Sequence, residues 1–153
     1  MLAGKAMTRE VRTVSPDATV AEAALQIRAT GDGTLPVVDT QGRLLGVVTK
    51  QSLVRLCLPE YLEEVGDLYR SGEFPPFNEK VREVGLLPVR DVMVTDPLTA
   101  SEDTPLAEVA ALLITRHLRN IPILREGRLV GIIGLQDVID RIAWPEPGSA
   151  GES

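Results

Sequence analysis

The stretch GRLLGVVTKQS, residues 42–52, returns in the same chain as GRLVGIIGLQD, residues 127–137. The relation extends upstream, where Met7 aligns with Met93 and Pro36 aligns with Pro122. Residues 7 to about 56 therefore correspond to residues 93 to about 141. The period between the two copies exceeds the roughly 20 to 50 residues of a solenoid unit. It predicts two copies of one small unit that pack together with a cleft between them.

The composition of the chain favours an ordinary globular protein. Apolar residues make up 44% of the sequence, and no apolar run approaches the roughly 18 residues that cross a bilayer. The amino terminus lacks the apolar stretch of a secretory signal, so we expect a cytoplasmic protein without a membrane anchor. The net charge is −6 and no basic run is present, which disfavours nucleic acid as a partner.

Each copy is predicted to fold as strand, helix, strand, strand, helix. In the first copy VRTV, residues 11–14, is the expected opening strand, and Thr19 and Glu22 have the spacing of a helical capping box. The segments TLPVVD and LLGVV, and NIPIL and LVGII in the second copy, are predicted strands. Closing helices are expected near residues 51–58 and 136–142.

Four regions follow from this pattern: copy 1 over residues 1–58, a helical insert or linker over 59–89, copy 2 over 90–144 and a disordered tail over 145–153. The insert is predicted to hold a helix in PEYLEEVGDLYR and a second helix from Asn78 through Val84, ended by Gly85. It also holds both tyrosines and both phenylalanines, which either cover an exposed helix face or contact a partner.

No catalytic motif is present in the sequence. Cys57 and His117 are the sole residues of their types, so they cannot form a soft-metal cluster. Neither a Gly-x-Ser-x-Gly elbow nor a Walker-type phosphate loop occurs. We therefore expect no enzyme activity, no catalytic residue, no metal site and no required cofactor.

The chain resembles a tandem cystathionine-β-synthase (CBS) domain pair. The resemblance rests on AMTREVRTVSPDATVAEAA and VMVTDPLTASEDTPLAEVA at the heads of the copies, and on TLPVVDTQGRLLGVVTKQSL and NIPILREGRLVGIIGLQDVI behind them. It implies an α/β (α+β) fold of two β-α-β-β-α repeats about a pseudo-twofold axis. It further implies two clefts, a flat homodimer, a regulatory role, and in many members the binding of an adenine nucleotide or another adenosyl ligand.

The nucleotide motif of this family has a glycine, a Thr or Ser hydroxyl, and an Asp three residues after the hydroxyl. The glycine would let the backbone approach a ligand, the hydroxyl would meet a phosphate at a helix start, and the carboxylate would accept the ribose hydroxyls. The first copy, GVVTKQS, has Thr49 but carries Ser52 in place of Asp. The second copy, GIIGLQD, has Asp137 but carries Gly134 in place of the hydroxyl. The two clefts are therefore not equivalent.

Five residues are candidates for nucleotide binding, and each has an alternative structural role. Asp137 either contacts ribose or stabilises the first turn of its helix, and Thr49 either caps a helix alone or also contacts phosphate. Gly134 is expected to leave its N–H groups open to a phosphate. Arg119 and Asn120 either face phosphate or are solvated residues at a helix end. The second cleft is thus the better candidate site.

We expect a regulatory module that senses an adenosine-containing ligand of the AMP, ADP or ATP type in a cleft between the repeats. The alternative is a ligand-free structural or dimerisation module that acts through a protein partner. The sequence identifies neither the ligand nor the regulated protein.

Overall fold

The computed structural model describes residues 1–31, 33–58 and 77–146. In this part of the chain the α-helices span Ala3–Ala6 (α1), Val20–Thr30 (α2), Lys50–Leu56 (α3), Phe77–Leu86 (α4), Leu106–Thr115 (α5) and Leu135–Ala143 (α6). The strands span Thr34–Val38 (β1), Leu44–Thr49 (β2), Ala100–Ser101 (β3), Asn120–Arg125 (β4) and Arg128–Gly134 (β5). The order helix, strand, strand, helix thus occurs twice, as the repeat predicts.

Two small sheets meet at their turns. Strands β1 and β2 are antiparallel, and in the second copy β4 pairs parallel to β3 and antiparallel to β5. The Leu44 N–H donates to the Gly127 carbonyl (3.1 Å), and the Leu129 N–H donates to the Gly42 carbonyl (3.0 Å). Leu44 and Leu129 are equivalent residues, as are Gly42 and Gly127. This reciprocal exchange relates the two copies by a pseudo-twofold axis.

Local spacing accounts for the start and end of helix α2. The Glu22 N–H donates to Thr19 Oγ1 (3.2 Å), and the Thr19 N–H donates to Glu22 Oε2 (3.1 Å), which confirms the predicted capping box. Gly31 ends the helix with a φ of 69°, a left-handed conformation that glycine adopts without steric cost. The stripe that faces the core consists of Val20, Ala23 and Ile27, all buried.

The segment that opens each copy, here called its head segment, packs on the other copy. It comprises residues 1–8 in the first copy and residues 89–94 in the second. Ala3, Ala6 and Met7 lie in the core built from helix α5 and strands β4 and β5. In the reverse direction Val89 is buried in the core of the first copy, and Met93 packs against that core. Each copy therefore completes its core with residues that precede the other copy in the sequence.

The motif glycines make room for these exchanged segments. A Cβ atom added to Gly46 would lie 2.5 Å from the carbonyl oxygen of Val94, and one added to Gly131 would lie 2.5 Å from Met7 Sδ. Both distances are far below van der Waals contact. The interpretation of these glycines as points of ligand approach is wrong, because a chain segment of the other copy occupies the space.

Two predicted elements differ in the structure. The strand expected over VRTV is reduced to a bridge between Val14 and Val37, because the preceding residues cross between the copies and do not run beside β1. In the insert, α4 extends over Phe77–Leu86, so Asn78 and Gly85 lie within the helix and do not bound it. Packing against α2, with Val84 buried, supports the longer helix.

Some predictions concern residues outside the described part of the chain. They are the helix in PEYLEEVGDLYR, the roles of Tyr61, Tyr69 and Phe74, and the tail beyond residue 146. Among the helices of the described residues, none combines the length and hydropathy needed to cross a bilayer.

Candidate functional site

A cavity of about 750 Å³ lies between the two copies. This volume is within the range of roughly 300 to 1,000 Å³ that small-molecule sites occupy. Both copies contribute to its walls, which the following residues line: Thr8, Glu10, Val11, Arg12, Thr30, Gly31, Gly33, Thr34, Leu35, Arg119, Asn120, Ile132, Gly134, Leu135, Gln136, Asp137 and Asp140. Four of the five candidate residues, Arg119, Asn120, Gly134 and Asp137, thus share one cavity.

Asp137 lies in the first turn of α6, and both of its carboxylate oxygens are engaged. Oδ2 accepts the Gly134 N–H (2.8 Å), and Oδ1 accepts the hydroxyl of Thr8 (2.7 Å). The prediction that Gly134 leaves its N–H groups open is wrong for its own N–H, which this carboxylate occupies. Two bonds from different directions hold the side chain of Asp137 at the edge of the cavity.

Gly134 is buried where strand β5 meets α6, opposite Asn120 of β4. A Cβ atom at this position would lie 2.6 Å from Asn120 Nδ2 and 3.0 Å from the carbonyl oxygen of Arg119. The missing side chain therefore admits the Asn120 amide. A Thr or Ser side chain at this position would collide with that amide unless it moved.

Arg119 connects the two copies across the cavity. Its side chain lies directly over Gly33 of the first copy, in the space that a Cβ atom there would fill. Because Gly33 is the counterpart of Arg119 in the repeat, one copy supplies the cation and the other supplies the room for it. The guanidinium is exposed to solvent at the rim and offers up to five N–H donors.

Thr49 lies elsewhere and is not among the described residues that line the cavity. Its Oγ1 accepts the Ser52 N–H (3.0 Å), and Ser52 Oγ accepts the Thr49 N–H (2.8 Å) and donates to the Thr49 carbonyl (2.9 Å). The prediction that Thr49 caps helix α3 is confirmed. In the first copy these two hydroxyls therefore bond to backbone groups at the start of helix α3.

The charges around the cavity are mixed. Arg12 and Arg119 supply cations, and Glu10, Asp137 and Asp140 supply carboxylates. Arg12 donates to Gln26 Oε1 (3.1 Å), and Asp140 accepts from Gln136 Nε2 (2.9 Å). In the described residues no cluster of three or more His, Cys, Asp or Glu side chains has the geometry of a metal site. The arrangement can bind hydroxyl groups through carboxylates and anions through guanidinium groups.

One carboxylate outside this cavity has a lowered pKa, that of Asp39 in the turn between β1 and β2. The carboxylate of Asp39 accepts the Arg43 N–H (2.9 Å) and the Gln41 N–H (2.8 Å). These bonds, that from Arg43 first, favour the charged form and hold the pKa of Asp39 below its usual value. The carboxylate stabilises this turn through these two bonds.

The first-copy wall of the cavity was not predicted from the sequence. Thr8, Arg12, Thr30 and Thr34 line it together with the residues of the second copy. One signal was present in the alignment of the copies, since Thr8 of the first head corresponds to Val94 of the second. A polar residue in one copy and an apolar residue at the equivalent position of the other indicate that the two head segments contact different groups.

Two equivalent α/β repeats, joined at their turns and enclosing a polar cavity, define a tandem-repeat module with a cleft between its copies. The CBS domain model matches residues 3–58 and 89–143, and the chain belongs to the CBS domain family. The resemblance inferred from the motifs and the α+β fold of paired CBS repeats are both confirmed.

Relatives carry this module in different settings. The chain is 29% identical to an inosine-5'-monophosphate dehydrogenase of Methanocaldococcus jannaschii over 94% of its own length, but it covers only 24% of the dehydrogenase. It is 28% identical to the CBS domain-containing protein YhcV of Bacillus subtilis, covering 94% of this chain and 88% of YhcV. Among solved structures, CBSX2 in complex with AMP matches with a TM-score of 0.70 and 26% identity over 93% of this chain and 96% of CBSX2.

Proposed function

We propose that this chain is a regulatory CBS pair that binds an adenosine-containing ligand, of the AMP, ADP or ATP type, in the cavity between its copies. The observation that carries the proposal is the Asp137 carboxylate, held at the edge of a cavity of about 750 Å³. The AMP complex of CBSX2, similar along nearly its whole length, supports the same ligand class.

In this proposal each polar group has one task. Asp137 accepts the two ribose hydroxyls, because an ionised carboxylate is an acceptor with about four lone-pair sites and two of them remain. Arg119 reaches the phosphate from the rim of the cavity, and Asn120 contacts the ligand beside Gly134. Thr49 has no part in it, since it lies outside the cavity and caps helix α3.

Regulation follows from the position of the cavity. A ligand that touches Asp137 of the second copy and the first-copy wall near Thr34 bridges both halves of the module. It shifts their relative position only as far as it binds one arrangement more tightly than another. The regulated protein would respond to this change in the relative position of the two copies.

The ligand is tested by thermal melting with AMP, ADP, ATP, S-adenosylmethionine and NAD, each at millimolar concentration. Saturation at 100 times Kd adds about 2.7 kcal/mol to the free energy of unfolding, and the melting temperature should rise accordingly. No shift with any of the five compounds would exclude adenosyl sensing. Inorganic phosphate at the same concentration is the control for nonspecific anion binding.

The exposed face of α6 favours a second function, self-association. Ile139 and Ile142 are 51% and 75% exposed at helical spacing, and Trp144 beyond the helix is 73% exposed. A contiguous apolar stripe of this kind indicates a surface that another chain covers. We propose that it pairs with a second copy in a homodimer.

The oligomeric state tests this second proposal. Light scattering after size exclusion should give the mass of a dimer for the native chain and of a monomer for Ile142→Asp. Ile114→Asp, at an equally exposed site on α5 (62%), is the matched control and should leave the dimer intact. A dimer that survives Ile142→Asp would remove this face from the interface.

A further inference from the structure

Thr8 lies next to the proposed ligand site although it belongs to the head of the first copy. Its hydroxyl donates to Asp137 Oδ1 (2.7 Å) across 129 residues of sequence. Its backbone is fixed by two further bonds, from the Thr8 N–H to the Ile132 carbonyl (2.9 Å) and from the Ile132 N–H to the Thr8 carbonyl (3.0 Å). The hydroxyl is therefore presented from a segment that is itself paired to strand β5.

The first copy has the same backbone arrangement without the polar contact. Val94, the counterpart of Thr8, exchanges two backbone bonds with Val47, the counterpart of Ile132, at 2.8 and 3.0 Å. The residue at the position of Asp137 is Ser52, which bonds to Thr49. The hydroxyl of the head segment and the carboxylate are thus present together in one copy and absent together in the other. The backbone pairing does not require the hydroxyl, so Thr8 has a role in addition to pairing.

We propose that Thr8 is a positioning residue, which fixes the Asp137 carboxylate for a ligand that carries two adjacent hydroxyl groups. The inference deepens the proposed function and rests on it. With Oδ2 bonded to Gly134 and Oδ1 bonded to Thr8, each oxygen keeps one acceptor site. Two acceptor sites on adjacent oxygens match the two donors of a vicinal diol such as that of ribose.

Without the Thr8 hydroxyl, Asp137 would be held by the Gly134 N–H alone. Its carboxylate would then rotate in the free protein and would have to be ordered on ligand binding. Ordering one such side chain costs about 0.5–1.5 kcal/mol, which corresponds to roughly a three- to tenfold loss of affinity. A ligand that does not touch Asp137 would not suffer this loss.

The first test needs no ligand. Side-chain coupling constants of Asp137, measured by NMR in the native protein, should report one χ1 rotamer. Thr8→Val, which keeps the shape and removes the hydroxyl, should give averaged couplings, and Thr8→Ser should restore the single rotamer. A single unchanged rotamer in Thr8→Val overturns the proposal, whether or not any nucleotide binds.

The second test separates positioning from a general structural effect. AMP should bind Thr8→Val roughly three- to tenfold more weakly than the native chain, and Thr8→Ser should bind it normally. The affinity for 2′,3′-dideoxy-AMP, which offers no hydroxyl to Asp137, should be the same in all three proteins. Equal losses for both compounds, or no loss for AMP, contradict a positioning role. If the native chain binds no adenosyl compound, the proposed function fails, and the rotamer measurement alone decides the role of Thr8.

Discussion

The two copies place different chemistry on the same backbone at the start of their closing helices. In the first copy the hydroxyls of Thr49 and Ser52 each bond to the backbone of the other residue, and the neighbouring head residue is Val94. In the second copy Gly134 and Asp137 stand at those positions, and the head residue is Thr8. The first arrangement contains no carboxylate, whereas the second keeps two acceptor sites on a fixed carboxylate. The two copies share one fold, and their closing helices begin with different polar groups.

The largest expected effect comes from removing that carboxylate. Asp137→Asn should weaken AMP binding roughly 10- to 150-fold, because the amide keeps one acceptor oxygen and loses one hydrogen bond to a charged group, which is worth about 1.5–3 kcal/mol. Ser52→Ala, at the equivalent position of the first copy, is the matched control and should bind AMP as the native chain does. Calorimetric titration of both variants measures the difference. Equal affinities would remove the functional asymmetry between the clefts.

The motif glycines should differ in the free energy of unfolding that an added methyl group costs. Gly46→Ala forces a Cβ against the backbone carbonyl of Val94, which is paired to Val47 and cannot move aside. Gly131→Ala meets the side chain of Met7, which can change rotamer. We expect a loss of about 1–3 kcal/mol for Gly46→Ala and a smaller loss for Gly131→Ala, measured by urea denaturation. A larger loss of stability for Gly131→Ala than for Gly46→Ala would contradict the packing of Met7 and Val94 against these glycines.

The helix cap of the first copy should matter for stability alone. Thr49→Ala removes the acceptor of the Ser52 N–H and should lower the free energy of unfolding by about 1 kcal/mol. AMP affinity should not change, because Thr49 does not line the cavity. A parallel loss of affinity would show that the first copy contributes to binding through this residue.

The smallest expected effect is on the acid stability of the turn between β1 and β2. Asp39 stabilises the first turn, while Arg125 stands at the equivalent position of the second. The pKa of Asp39 is lower in the folded chain than in the unfolded chain, so its contribution is present above the unfolded value near 3.8. That contribution is lost as the pH falls through the lower folded value. Asp39→Asn should therefore flatten the fall of stability at acid pH, measured by denaturation between about pH 5 and pH 2.

Local features of this protein could be predicted because their partners are close in sequence. The box of Thr19 and Glu22 and the cap of Thr49 each join residues three positions apart, so spacing alone identifies them. The repeat likewise predicted the paired sheets, since a copied pattern of apolar segments implies a copied fold. Four candidate residues lie in one cavity because the start of β4 pairs with the end of β5. They are Arg119, Asn120, Gly134 and Asp137.

The contacts between the copies could not be predicted in this way. The partner of Asp137 is Thr8, and no local pattern indicates which of two equivalent copies a head segment will join. For the same reason the motif glycines were assigned to a ligand, although Met7 and Val94 occupy the space beside them. The Gly134 N–H was expected to be open, but the nearest acceptor is a carboxylate three residues away in its own helix.

The exchanged head segments determine how the chain can reach its folded state. Residues 1–8 have no core to join until the second copy exists, because Ala3 and Ala6 are buried in the core of the second copy and their helix contacts helix α5 and strand β5. During synthesis residues 1–8 must therefore remain unpaired until strand β5 has been made, and contacts between such distant residues slow folding. A chain cut between the copies would give two fragments, each holding a piece of the other's core. Neither fragment is expected to fold alone, but mixing them should restore both copies at once.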